Sequence, residues 1–211
     1  MNIGIIGDGH VGSSLAAGLQ HAGHHIQFGT TNPNQPVNKA AAFGDVVILA
    51  VPYTAIPDVL AHMCAEVQDK TLIDVTNPIS STGDLAIGCT TSDAEEIQRQ
   101  LPKTHVVKAF NTVFAPNQRT GHIDTTQLTA FIAGNHTKAK TITAHLARDL
   151  GFRPIDCGDL SAARYLEPMA MLIINLAYGL NYGTHIGFVL TGLPKEKQQP
   201  SSATSEQFLT I

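Results

Sequence analysis

The chain has 211 residues, enough for one domain with a substantial core, and 43% apolar against 14% charged residues excludes a disordered chain. A net charge of −4 without any basic run argues against nucleic acid as the partner. The opening MNIGIIG lacks the basic flank and cleavage site of a secretory signal, and Cys64, Cys89 and Cys157 are odd in number and widely spaced; free thiols in the cytoplasm are expected.

NIGIIG reads as a short buried strand, followed by a helix whose stripe Val11, Leu15, Leu19 and Ala22 faces a sheet and whose end is marked by Gly23. HHIQFGT is the second strand. Only TNPNQPVNKAAAFG then precedes the continuous apolar run DVVILAVP, which is typical of a parallel strand covered on both faces. That interval has room for one brief helix, VNKAAAF, but not for a further strand with its own crossover, so the outer third strand of a doubly wound sheet is expected to be lost. TAIPDVLAHMCAEV is a helix with Pro57 in its first turn, KTLIDVTNP a strand, and SDAEEIQRQL a helix whose Ser92 and Glu95 have capping-box spacing. HVVKAFNTV, LTAFIAG, TKAKTITAHLARDLG and FRPIDCG continue the alternation, which predicts a parallel, doubly wound Rossmann-type α/β fold.

After Gly158 the pattern becomes helical, with Pro168 expected to divide a short helix from a longer one reaching toward Leu190. Asn175, Asn181, Thr184 and three glycines interrupt its apolar stretch, which argues for burial against the domain or a second subunit and not for a membrane span. The chain therefore divides into a nucleotide-binding domain, 1–157, and a C-terminal helical extension, 158–211, on the acceptor side and at a dimer contact, ending in the polar tail PKEKQQPSSATSEQFLTI. The ten histidines contain no H-E-x-x-H motif, and no metal site is expected.

Gly7, Gly9 and Gly12 form G-x-G-x-x-G between the first strand and the first helix, the context in which this motif grips a dinucleotide. Gly7 permits the tight turn, Gly9 admits the pyrophosphate and Gly12 lets helix and strand approach, while the helix N-terminus offers free N–H groups to the anion. The second strand ends in Thr30, Thr31 and Asn32, with no carboxylate for a ribose 2′-hydroxyl. These hydroxyl and amide groups suit a 2′-phosphate, so NADP is favoured over NAD.

Several segments together, chiefly VKAFNT and GFRPIDCGDL followed by LEPMA, resemble the NADP oxidoreductase family dependent on coenzyme F420, which includes deazaflavin-NADP reductases and the cytosolic domains of six-transmembrane metalloreductases. The resemblance runs from Met1 to about Leu190. It implies NADPH binding, direct hydride transfer to a deazaflavin or flavin-like small-molecule acceptor, and a homodimer. Residue by residue, it implies Gly7, Gly9, His10, Val11 and Gly12 at the pyrophosphate; Thr30, Thr31 and Asn32 at the 2′-phosphate; and Ala50, Val51 and Pro52 beside adenosine. Asn77, Pro78, Ala109, Phe110 and Asn111 fall near the nicotinamide. The family usually has Arg where Thr31 stands, and the region after Pro33 is shortened.

Hydride transfer needs stacked rings more than acid–base machinery, in keeping with the absence of a Ser-His-Asp or Cys-His set. Asn111 and Thr112, at a strand's carboxyl end, are the candidate catalytic contacts. Strand alternation separates Lys108 from Asn111 and gives it a structural or rim role. Two other functions remain open: reduction of a small imine or carbonyl, with Lys108, Tyr178 or Tyr182 as proton donor, and a non-catalytic NADP(H)-sensing module.

Overall fold

The computed structural model describes residues 1–193; the polar tail, 194–211, lies outside the described residues. A seven-stranded sheet forms the centre, in the order β2-β1-β3-β4-β5-β8-β9. Its strands are β1 (Asn2–Ile6), β2 (His25–Gly29), β3 (Val46–Leu49), β4 (Thr71–Asp74), β5 (His105–Lys108), β8 (Thr129–Gly134) and β9 (Arg153–Asp156). The helices are α1 (His10–His21), α2 (Val37–Phe43), α3 (Ile56–Met63), α4 (Asp93–Gln100), α5 (Ala115–Gln118), α6 (Thr137–Asp149) and α7 (Ala163–Ile174). Alternate residues of the central strands enter two cores on opposite faces: Ile3, Ile5, Val46 and Ile48 on one, Ile6, Val47 and Leu49 on the other. Burial on both faces explains why these strands read as unbroken apolar runs.

The loss of an outer strand is as expected. α2 leads directly to β3, which pairs with β1, and β2 is left at the sheet edge. α2 occupies the space over β1 and β2 so closely that a Cβ on Gly4 would lie 2.2 Å from the Ala40 carbonyl oxygen, and one on Gly29 would lie 2.9 Å from Val37 Cα. Two glycines inside strands, normally unfavourable there, are what let this short helix dock.

Four features differ from the sequence reading. β8 runs antiparallel to β5. A parallel neighbour needs a crossover helix, whereas only the four-residue α5 and a separate hairpin, β6 (His122–Ile123) with β7 (Thr126–Gln127), lie between them. Parallel pairing resumes between β8 and β9 across α6. The buried face of α1 is Gly12, Leu15, Ala16, Gly18 and Leu19; Val11 is half-buried and Ala22 exposed. Pro168 does not divide the C-terminal helix: α7 runs through it, preceded by a 3-10 turn at Leu160–Ala162 and continued by a π-turn at Asn175–Gly179. Helix then stops well short of Leu190. Asn181 and Gly183 have φ of +59° and +73°, left-handed conformations that end a helix. The chain returns along β8 instead, where the Thr129 N–H donates to the Phe188 carbonyl at 3.0 Å and the Leu190 N–H to Thr129 Oγ1 at 2.9 Å. Among the described residues no helix is long and apolar enough to cross a membrane.

Gly4→Ala is expected to lower stability by about 1–3 kcal/mol, because the added methyl group meets backbone and not a side chain that could move aside. A reduced urea midpoint with an unchanged m-value is the expected measurement.

Candidate functional site at the carboxyl ends of the strands

The turn after β1 assigns a distinct constraint to each glycine of the loop. Gly7 has φ +106°, and a Cβ there would lie 2.3 Å from the Ala50 carbonyl oxygen. A Cβ on Gly12 would lie 2.1 Å from the Gly7 carbonyl oxygen, so this glycine sets the approach of α1 to the strand. Gly9 differs: it has φ −66°, and a Cβ there would meet nothing within 4 Å. Gly9 is the N-cap of α1, with no side-chain cap and no acidic residue in the first turn, so the N–H groups of His10, Val11 and Gly12 face outward with the positive end of the helix dipole. His10 itself is exposed.

Thr30, Thr31 and Asn32 lie beside this loop, where β2 ends against β1; the Gly7 N–H donates to the Gly29 carbonyl at 2.9 Å. Their turn is internally bonded. The Asn32 N–H donates to Thr30 Oγ1 at 3.0 Å, the Asn34 N–H to Asn32 Oδ1 at 2.9 Å, and the Thr30 N–H to the Gln35 carbonyl at 2.7 Å. Thr31 is exposed and takes no part in these bonds. Ala50, Val51 and Pro52 continue from β3; the Ala50 N–H donates to the Ile6 carbonyl at 2.8 Å, which ties this segment to the glycine turn.

Asn77 and Asn111, predicted separately, form a reciprocal clamp between the ends of β4 and β5. Asn77 Nδ2 donates to the Asn111 carbonyl at 3.0 Å, and Asn111 Nδ2 donates to Asn77 Oδ1 at 2.9 Å and to the Leu166 carbonyl of α7 at 2.9 Å. Both amide protons of Asn111 are thus committed, while its buried Oδ1 has no partner. Gln118 Oε1 is the other such atom among the described residues, and a buried acceptor without a donor is costly in a finished core. Pro78, Ala109, Phe110 and Thr112 are buried around the clamp.

Phe110 reverses the alternation of β5. It is 1% exposed, yet has φ +61°, a conformation costing about 1–2 kcal/mol for a residue with a Cβ. It packs in the same core as Val107 and Ala109, where simple alternation would put it on the opposite face. Gln118 Nε2 donates to its carbonyl at 3.2 Å. The reversal returns Asn111 to the face of Lys108, and both meet α7.

Lys108 is not at a rim. It has no exposed surface, and its Nζ donates to Asp74 Oδ2 at 2.8 Å, to the Thr76 carbonyl at 2.8 Å and to Glu167 Oε1 at 3.0 Å. Burial alone would lower its pKa, but the carboxylates of Asp74 and Glu167 outweigh that and hold it above the ordinary lysine value. All three ammonium protons are in use, which leaves none for a substrate. Glu167 also accepts from the N–H groups of Asp93 and Ala94, at 3.0 and 3.3 Å, and so caps α4 from α7. Ser92 adds the predicted cap: its Oγ accepts from the Glu95 N–H at 3.2 Å and donates to Glu95 Oε2 at 2.8 Å. Sequence reading missed Asp74, Thr76, Asp93 and Glu167. The available signal was a single charge inside each of the apolar runs TLIDV, HVVKAF and YLEPMAM, since charges buried in such runs need partners. Among the described residues no group of three His, Cys, Asp or Glu side chains could hold a metal ion, and the three cysteines are free.

Fold and loop together define a Rossmann-type α/β protein whose glycine turn and asparagine clamp both lie at the strands' carboxyl ends. Comparison with known proteins narrows this class. Residues 32–78 match the family described as NADP oxidoreductase coenzyme F420-dependent. The F420-dependent NADP reductase of Methanothermobacter thermautotrophicus is 36% identical over 177 residues, covering 80% of this chain and 73% of that protein. Human metalloreductase STEAP2 is 29% identical over 85% of this chain, but the chain spans only 38% of that protein. The crystal structure of a candidate F420-dependent NADP reductase from Arthrobacter sp. FB24 superposes with a TM-score of 0.85 at 27% identity, over 91% of this chain and all of that one. The chain belongs to the F420-dependent NADP oxidoreductase family and is, by class, an NADP-dependent oxidoreductase.

Lys108→Met leaves Asp74 and Glu167 buried without their cation. It is expected to destabilise the fold by about 3–5 kcal/mol, read as a fall in the urea midpoint.

Proposed function

We propose that this protein transfers hydride between NADP(H) and a deazaflavin or flavin-like acceptor. The observation that carries the reading is the presence, at the same carboxyl edge of the sheet, of an open, uncapped glycine turn after β1 and an unpartnered buried amide oxygen, Asn111 Oδ1, after β5. Gly7, Gly9, His10, Val11 and Gly12 would hold the pyrophosphate on their N–H groups. Thr30, Thr31 and Asn32 would meet the 2′-phosphate, with Thr31 taking a place where the family usually has Arg. Ala50, Val51 and Pro52 would flank the adenosine. Asn77, Pro78, Ala109, Phe110, Asn111 and Thr112 would frame the nicotinamide, with Asn111 Oδ1 accepting from its carboxamide N–H.

When bound, the nicotinamide supplies or receives the hydride. The chain's own part is to hold that ring flat, to exclude water and to leave its other face to the acceptor. This demands position more than proton transfer. Reduction of a small imine or carbonyl would need a proton donor at the reacting atom, and Lys108, fully engaged and without exposed surface, is unsuited to that role. Tyr178 and Tyr182 are each 65% exposed in the single chain.

The protein is further read as a cytoplasmic homodimer, in which the segment from residue 158 onward forms the acceptor side and the subunit contact. Tyr165, Leu172, Tyr178, Leu180 and Tyr182 are more than half exposed and lie on α7 or just after it, a concentration of large apolar side chains that supports a covered face.

Rapid mixing of NADPH with coenzyme F420, FMN, FAD and ferric chelates tests the activity. Oxidation with at least one acceptor is expected; tight nucleotide binding without turnover on any of them would favour a sensing role. Because Gly9 has an ordinary φ and open space around it, Gly9→Ala should leave the melting temperature unchanged while weakening NADPH binding by about tenfold or more, measured by calorimetry. Leu172→Glu is expected to convert a dimer to a monomer in light scattering, with NADPH affinity retained.

A further inference from the structure

Thr76 stands between two buried carboxyl groups with a single hydroxyl proton to offer. Its Oγ1 lies 2.6 Å from Asp74 Oδ1 and 3.0 Å from Asp93 Oδ2. Asp74, Thr76 and Asp93 are each no more than 5% exposed, so bulk solvent does not reach them. One hydroxyl proton cannot serve two anionic oxygens. Asp74 has the shorter contact and also accepts from Lys108 Nζ and the Thr76 N–H, so its two oxygens face three donors. The remaining contact closes only if Asp93 carries a proton and donates it to Thr76 Oγ1. The order is then Asp93 to Thr76 to Asp74, with Lys108 bridging Asp74 and Glu167.

We propose that Thr76 and Asp93 are positioning residues for hydride transfer, in which one proton retained on Asp93 orients the Thr76 hydroxyl and so fixes the Asn77–Asn111 clamp. This rests on the reading of that clamp as the nicotinamide frame. Thr76 precedes Asn77 in the chain, its carbonyl is held by Lys108, and Glu167 follows Leu166, whose carbonyl accepts from Asn111. The network thus touches every segment that supports the clamp. Ionising Asp93 places a second anion against Thr76, which can then serve only one of its two neighbours.

The groups facing Asp93 are Asp74 from β4, Lys108 from β5, Glu167 from α7 and the phenol of Tyr53 from the turn before α3. Burial foremost, then the Asp74 charge, pushes Asp93 up to about 7, against the pull of Lys108 and the Thr76 hydrogen bond. The folded chain therefore retains a proton that the unfolded chain releases at ordinary acidic pH. Stability supplied by this group is complete below the unfolded value, declines as pH rises toward about 7, and is lost above it.

Selective ¹³C labelling of aspartate in the cofactor-free protein reads the proton directly, with Asp93→Asn assigning the resonance. A carboxyl shift of the protonated form at pH 5.5, moving to the ionised form near neutrality, is expected. An ionised Asp93 at pH 5.5 would overturn the proposal whether or not NADPH binds. In single-turnover oxidation of NADPH the wild-type rate should fall by about tenfold per pH unit above the transition, with the NADPH KM changing less than about twofold. Asp93→Asn, whose amide donates to Thr76 without titrating, should abolish that fall; an unchanged pH profile in the variant would sink the positioning role. Thr76→Val should lower kcat by about tenfold or more without a matching change in KM, and Thr76→Ser should restore it. Equal kcat in the valine and serine variants would also count against the proposal.

Discussion

Lys108 is the interaction on which the rest of the site depends. An ammonium group with no exposed surface survives in a protein only when every proton has an acceptor and the charge has a counterion. Here the three acceptors come from β4, from the loop after it and from α7. Burying that charge is expensive. What it secures is geometry: any shift of β4 against β5, or of α7 against the sheet, would open one of these contacts in a place water does not reach. The same cation lets Glu167 sit at the N-terminus of α4, so two helices and two strands are referred to a single nitrogen.

At the glycine turn after β1 the constraint is steric. Gly7 and Gly12 bring a strand, a turn and a helix into backbone contact, while Gly4 and Gly29 do the same for α2 over the sheet edge. These close approaches set where the turn stands relative to Ala50 and the end of β3. The two regions therefore work by different physics: excluded volume shapes the glycine turn, and paired charges stiffen the frame around Asn77 and Asn111.

The first of these was readable in the sequence and the second largely was not. Glycine spacing next to an apolar run has a local cause and a local effect, so the turn, the N-terminus of α1 and the loss of an outer strand could be inferred from adjacent residues. So could the Ser92 cap. The ion network joins residues 74, 93, 108 and 167, which no local pattern links; lone charges in apolar strands gave notice of partners without naming them. Alternation correctly kept Lys108 away from Ala109, but the left-handed Phe110 brings Asn111 back to the lysine's face, and nothing in a phenylalanine announces that. The antiparallel β8 escaped because the segment before it is too irregular to declare whether it crosses the sheet. Pro168 failed as a helix breaker since α7 already packs along its buried face and tolerates one absent amide hydrogen bond.

The sheet edge left by the missing strand has a consequence for behaviour in solution. An unpaired strand edge presents amide and carbonyl groups that can recruit extended chains from other molecules and seed aggregates. β2 is only five residues long, and just past its end Thr30 bridges to Pro36. Proline has no amide hydrogen with which to extend a ladder. The protection is local: the segment that follows β2 ends the ladder at Pro36, while His25–Gly29 itself is kept short as the edge.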